Sequence, residues 1–95
     1  MFIVLLKFAG RKSEAGLYMQ GHKDWLQQGF EAGVFLLAGS LPLQAGGLIV
    51  AHQASPAELQ DRIRQDPFVA EGVVTAEVIE VAPARVDERL RFLLA

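Results

Sequence analysis

The chain has 95 residues, enough for one domain and not for two. Hydrophobic residues make up 52% and charged residues 21%, so a packed core is expected and disorder is not. The net charge is −2 with both signs scattered, which leaves no basic patch for nucleic acid or an anionic membrane, and the absence of cysteine removes disulfides, thiolate metal sites and a Cys nucleophile.

Phe2 to Phe8 reads as a buried strand ended by Ala9-Gly10. Both of its faces are apolar, with Phe2, Val4, Leu6 and Phe8 on one and Ile3 and Leu5 on the other. The run is short, lacks a basic leader and carries Lys7, so it reads as a strand rather than a signal peptide or membrane span. With no cysteine to oxidise, a cytoplasmic location is expected. Arg11 to Leu17 is polar and reads as a loop or first turn, with the firm helix start between Leu17 and Gln20.

The helix that follows sorts into two faces at about 100° per residue. Tyr18, Met19, His22, Trp25, Leu26, Gly29 and Phe30 fall in one stripe, and Gln20, Lys23, Asp24, Gln27, Gln28 and Glu31 fall outside it. His22 sits at the centre of the apolar stripe, where a Leu is expected. It is either a core histidine satisfied by local polar groups or a general acid/base under a pocket. Gly33 fits the position that ends such a helix.

Val34 to Leu41 is the second strand, stopped by Pro42, and Leu43 to Gly46 forms a turn into a third strand over Gly47 to His52. Ser55-Pro56-Ala57-Glu58 is a capping-box helix start, with Leu59, Ile63 and Asp66 as the inner face. Pro67 disfavours helical backbone at Asp66 and ends the helix there. Val73 to Val81 is the fourth strand. Pro83 ends it, and Ala84 to Ala95 reads as a terminal helix or tail.

This order is β-α-β-β-α-β in a single domain over 1–95, with a core over 2–82 and the tail beyond. It predicts an α+β, ferredoxin-like fold. Two right-handed crossovers place both helices on one face of a four-stranded antiparallel sheet. The strands are nevertheless apolar on both faces, whereas a one-sided sheet in water alternates. The uncovered face is therefore expected to bury itself in a homodimer.

Several functions use this order. An RNA-recognition module needs aromatic and basic residues on the third strand, which here is GLIVAH. A copper chaperone needs paired cysteines. A phosphate loop needs glycines that Ala9-Gly10-Arg11 does not supply. The histidine opening HKDWL, the strand ending Ala38-Gly39-Ser40-Leu41, the hairpin run Gly46-Gly47-Leu48-Ile49-Val50 and the pair Asp66-Pro67-Phe68 before Gly72-Val73-Val74 together form a different pattern. In that order and spacing they resemble the YCII-related (YciI-like) family of dimeric α+β barrel proteins, over roughly residues 2 to 82.

The resemblance implies a ferredoxin-like protomer, a face-to-face sheet dimer and an enzymatic site on His22 and Asp66. Related dimeric barrels isomerise or dehalogenate lactones. An Arg-Pro pair often precedes the histidine in that family, whereas Met19-Gln20-Gly21 stand here, so the substrate class stays open.

A carboxylate on one imidazole nitrogen orients the other for proton transfer. Asp66 could alternatively cap local backbone N–H groups. Both helices are expected to follow parallel strands and so to run the same way, which sets His22 and Asp66 most of a helix length apart. The aspartate would then come from the second subunit, or Glu77 or Glu80 would partner His22. Ser40 can hydrogen-bond a ligand, and Trp25 and Tyr18 serve as core or as pocket wall, the three being the substrate-binding candidates. His52 reads as a surface residue. Two distant histidines make no metal site, and no cofactor is expected. Two functions follow: a small cofactor-free enzyme doing proton transfer, isomerisation or elimination on a small organic molecule, or a non-catalytic module that binds a ligand or mediates assembly. A pocket holding His22 beside a charged partner favours the first. A ring sealed by Trp25 and Phe30 favours the second.

Overall fold

The computed structural model describes residues 1–94. Strand β1 spans Phe2–Phe8, helix α1 Ala15–Glu31, β2 Phe35–Ser40, β3 Gly46–Ala51, α2 Pro56–Arg64, α3 Pro67–Ala70 and β4 Val74–Glu80. Short 3-10 turns occupy Lys12–Glu14, Pro42–Gln44 and Glu88–Leu94. The four strands form one sheet in the order β2-β3-β1-β4, with β1 antiparallel to both of its neighbours. This is the α+β, ferredoxin-like arrangement that the element order predicts.

The direction of the helices differs from the sequence expectation. Because β3 runs antiparallel to β1, the helices that follow them also run oppositely. The end of α2 is thus carried towards the first half of α1. Helix α1 also starts earlier than expected, at Ala15, because the turn over Lys12–Glu14 leads directly into it. Its far end is closed as predicted. Gly33 has φ 74°, its N–H donates to the Phe30 carbonyl, and the Val34 N–H donates to the Gly29 carbonyl.

Alternate residues of β1, Phe2, Val4 and Leu6, are buried and share one core with Trp25 of α1, Leu59 and Ile63 of α2, and Phe68 of α3. Both long helices therefore cover the same sheet face. Burying each such side chain contributes roughly 1.5–3 kcal/mol. Within the α1 stripe only Trp25 and Gly29 are buried, His22, Tyr18 and Leu26 are partly buried, and Met19 and Phe30 are exposed. Gly29 is needed for fit, since a Cβ there would overlap the Phe35 ring.

The capping box at α2 forms in full: the Glu58 N–H donates to Ser55 Oγ, and the Ser55 N–H donates to the Glu58 carboxylate. The short α3 is an element that the sequence reading lacked. Pro67 does end α2, but it also opens a new helical turn, capped by Asp66. At the β2–β3 connection, Leu43 and Gln44 adopt left-handed backbone, φ 59° and 56°, which is uncommon outside glycine.

On the other sheet face, register aligns Leu37, Val50, Ile3 and Ile79 in one row and places Leu48 beside Leu5 in the next. Leu37 and Ile79 are exposed, at 52% and 42%. His52, expected at the surface, is partly buried and meets the Phe92 ring of the C-terminal segment edge-on at 5.5 Å. No helix is long and apolar enough to cross a membrane, among the described residues.

Candidate active site

Asp66 is held by its own turn. Its extended backbone lets the carboxylate cap α3, where Oδ1 accepts the Phe68 N–H at 3.0 Å. The same oxygen lies 2.9 Å from His22 Nδ1, across 44 residues of sequence. The side chain of Asp66 is fully buried and that of His22 is 14% exposed. Oδ2 of Asp66 is buried without a hydrogen-bond partner among the described residues. A buried carboxylate is costly unless it is compensated. Here the compensation comes from the His22 ring and one backbone N–H, so the pair is interdependent.

The two alternative readings of Asp66, a local cap and a partner for His22, hold together because one oxygen does both. The pair forms within one chain. The expected separation does not arise, because α1 and α2 are antiparallel. Glu77 pairs instead with Lys7 at 3.7 Å, and Glu80 is exposed at the opposite end of β4.

With Nδ1 turned to the carboxylate, Nε2 is the ring nitrogen left without a protein partner among the described residues. An Nδ1–H donated to Asp66 makes Nε2 an acceptor in the neutral ring and a donor in the imidazolium. The ring lies flat on Phe68, with centroids 4.2 Å apart and planes at 6°. Trp25 stacks more loosely at 5.8 Å. Phe30 turns to Phe35 rather than to the imidazole. The ring is thus fixed in orientation by a hydrogen bond on its edge and an aromatic plane on its face.

His22 lines a cavity of about 570 Å³ between α1 and the sheet. Leu6, Phe8, Leu26, Phe68 and Val74 supply apolar wall, Ser40 and Gln44 supply polar groups, and Lys12 and Lys23 stand with them. The volume suits a small organic molecule.

Of the residues expected to bind substrate, Ser40 lines this cavity and Trp25 and Tyr18 do not. Trp25 is buried in the core, and its indole N–H donates to the Arg62 carbonyl at 2.8 Å, tying α1 to α2. Tyr18 packs partly buried against that core. Lys12, Lys23 and Gln44 are residues that helical periodicity could not single out. Lys23 falls outside the apolar stripe, and the other two lie in connections. Among the described residues, no group of three or more His, Asp or Glu side chains converges as a metal site.

Residues 1–83 match the family model described as the YCII-related domain. No curated protein matches the chain. Among solved structures, the fold is similar to 5-chloro-2-hydroxyhydroquinone dehydrochlorinase (TftG) from Burkholderia phenoliruptrix AC1100, in complex with 2,5-dihydroxybenzoquinone. The TM-score is 0.68, covering 85% of this chain and 93% of that one, at 14% identity. At that identity the likeness is one of fold.

Proposed function

The chain belongs to the YCII-related family, and we propose that it is a small cofactor-free enzyme in which His22 moves a proton on a small organic substrate. The observation that carries this reading is the His22–Asp66 pair, 2.9 Å apart at the wall of a cavity. Asp66 holds the ring in one tautomer and offsets the charge the ring gains. Nε2 takes a proton from a carbon or hydroxyl of the bound molecule. In an elimination, the electron pair left behind forms a new double bond and the leaving group departs with its own pair. In an isomerisation, the imidazolium returns the proton to another atom of the substrate. Dehydrochlorination, the activity named for TftG, is an elimination of this kind.

The cavity beside a histidine–aspartate pair favours an enzyme over a module that only binds or assembles. The reading includes a homodimer through the open sheet face, because Leu37, Val50, Ile3 and Leu5 leave apolar surface there.

The test is deuterium uptake from D2O and chloride release, followed by NMR and ion electrode, on small enolisable and chlorinated hydroxyaromatic compounds. General acid–base catalysis contributes roughly 10²–10⁴-fold. His22→Ala should lose at least that lower factor while its circular dichroism stays that of the wild type. Turnover unchanged in His22→Ala would refute the enzyme reading and leave the binding module.

A further inference from the structure

We infer that this cavity takes a small planar organic acid, whose anionic group is held by Lys12, with Lys23 as a second cation at the rim. The inference rests on the reading of the cavity as the substrate site. The first observation is charge. The chain is net negative, at −2, yet both charged residues lining the cavity are lysines and no carboxylate lines it. Neither lysine forms an ion pair among the described residues; Arg62 and Arg85, which do not line the cavity, have none either, and Lys7, Arg11, Arg64, Arg89 and Arg91 each have a carboxylate partner. Arg11, the nearest arginine in sequence, is held by Glu14 through two hydrogen bonds of 2.6 and 2.7 Å and is not left to bind a ligand.

The second observation is placement. Lys12 Nζ stands 4.9 Å from the centroid of the Phe8 ring and donates to the Gln44 carbonyl at 3.4 Å. Phe8 and Gln44 both line the cavity, so the ammonium is held between two of its walls. An ammonium has three donors and the carbonyl takes one. The ammonium is exposed, and the Phe8 ring and the Gln44 carbonyl fix where it stands while its other donors remain open to an anion.

The third observation is shape. Three rings border the cavity, those of Phe8, His22 and Phe68, and the last two are stacked on each other with planes 6° apart. An aromatic lining favours a conjugated ring or chain, which can stack on it or meet it edge-on, over a bulky saturated one. A molecule whose anion meets Lys12 would have its ring or conjugated system left for the apolar wall and His22.

The probes are benzoate, its neutral isostere benzamide, and the non-planar cyclohexanecarboxylate, titrated into the 15N-labelled protein. Amide shifts are followed at Ser40, Gln44 and Gly46. Benzoate should bind at millimolar concentration or below, about tenfold or more tighter than benzamide, and tighter than cyclohexanecarboxylate. Lys12→Ala should remove the preference for the anion, and Lys12→Arg should retain it. Equal binding of benzoate and benzamide, an unchanged preference in Lys12→Ala, or no binding of benzoate would overturn the proposal. Equal binding of the two acids would overturn its planar part.

The outcome is separable from that of the enzyme reading. Anion preference without any His22-dependent chemistry leaves this inference standing and removes catalysis. His22-dependent turnover of a neutral compound, indifferent to Lys12→Ala, does the reverse.

Discussion

The imidazole of His22 lies parallel to the phenyl ring of Phe68 at 4.2 Å, and the backbone N–H of Phe68 donates to the carboxylate oxygen that also meets His22. One residue thus supports the site twice. Its ring orients the histidine, and its backbone holds the aspartate. Pro67 sets this up by opening α3 directly after Asp66.

The first prediction follows from that shared oxygen. Asp66→Asn should still accept the Phe68 N–H and fold, yet lose about 10²-fold or more of any His22-dependent activity. His22→Leu should destabilise by ~1–3 kcal/mol, because a buried carboxylate loses a partner. Urea melts of the two single variants and the double variant form a cycle, with an expected coupling of about 1 kcal/mol or more. A stabilising His22→Leu with zero coupling would return His22 to an ordinary core position.

A second prediction concerns packing. Gly29→Ala improves helix propensity by up to ~1 kcal/mol. The added Cβ, however, meets the buried Phe35 ring, which is already packed against Trp25 and Phe30. Overpacking costs ~1–3 kcal/mol, so the net effect should be destabilising. A denaturation midpoint at or above that of the wild type would contradict the close contact.

The third prediction is the assembly. Ile3 and Val50 face each other on the uncovered sheet face. Sedimentation should give a dimer at micromolar concentration, burying about 1,000 Å² or more in total. Ile3→Lys should shift it to monomer without altering the fold. A wild-type monomer under these conditions would mean that the apolar rows remain solvated.

A fourth prediction uses the α2 capping box. Hydrogen bonds from the Ser55 backbone and side chain hold the Glu58 carboxyl below its ordinary pKa. The associated stability is therefore fully present above the ordinary value near ~4.3 and is lost as pH falls through the depressed folded value. Ser55→Ala should cost ~1 kcal/mol at neutral pH. The difference between wild type and Glu58→Gln should shrink on acidification, measured by melts from neutral to low pH. A constant difference would show that the charge of Glu58 plays no part.

Much of this molecule is local and could be read from the chain. Gly33 closes α1 because the left-handed backbone there suits glycine, and Ser55 with Glu58 opens α2 through hydrogen bonds three residues apart. Alternation in β1 and the spacing of Leu59 and Ile63 mark the buried faces, since side-chain period depends only on backbone geometry. The oddity of His22 in an apolar stripe was equally visible. The meeting of His22 with Asp66 was decided by tertiary structure. It depends on β1 and β3 running antiparallel, which turns α2 against α1 and brings a helix end to mid-helix. The same packing puts Trp25 in the core and draws Lys12 and Lys23, unremarkable in sequence, to one cavity. Local preference sets each element, but which side chains share a cavity is fixed only when the sheet pairs its strands.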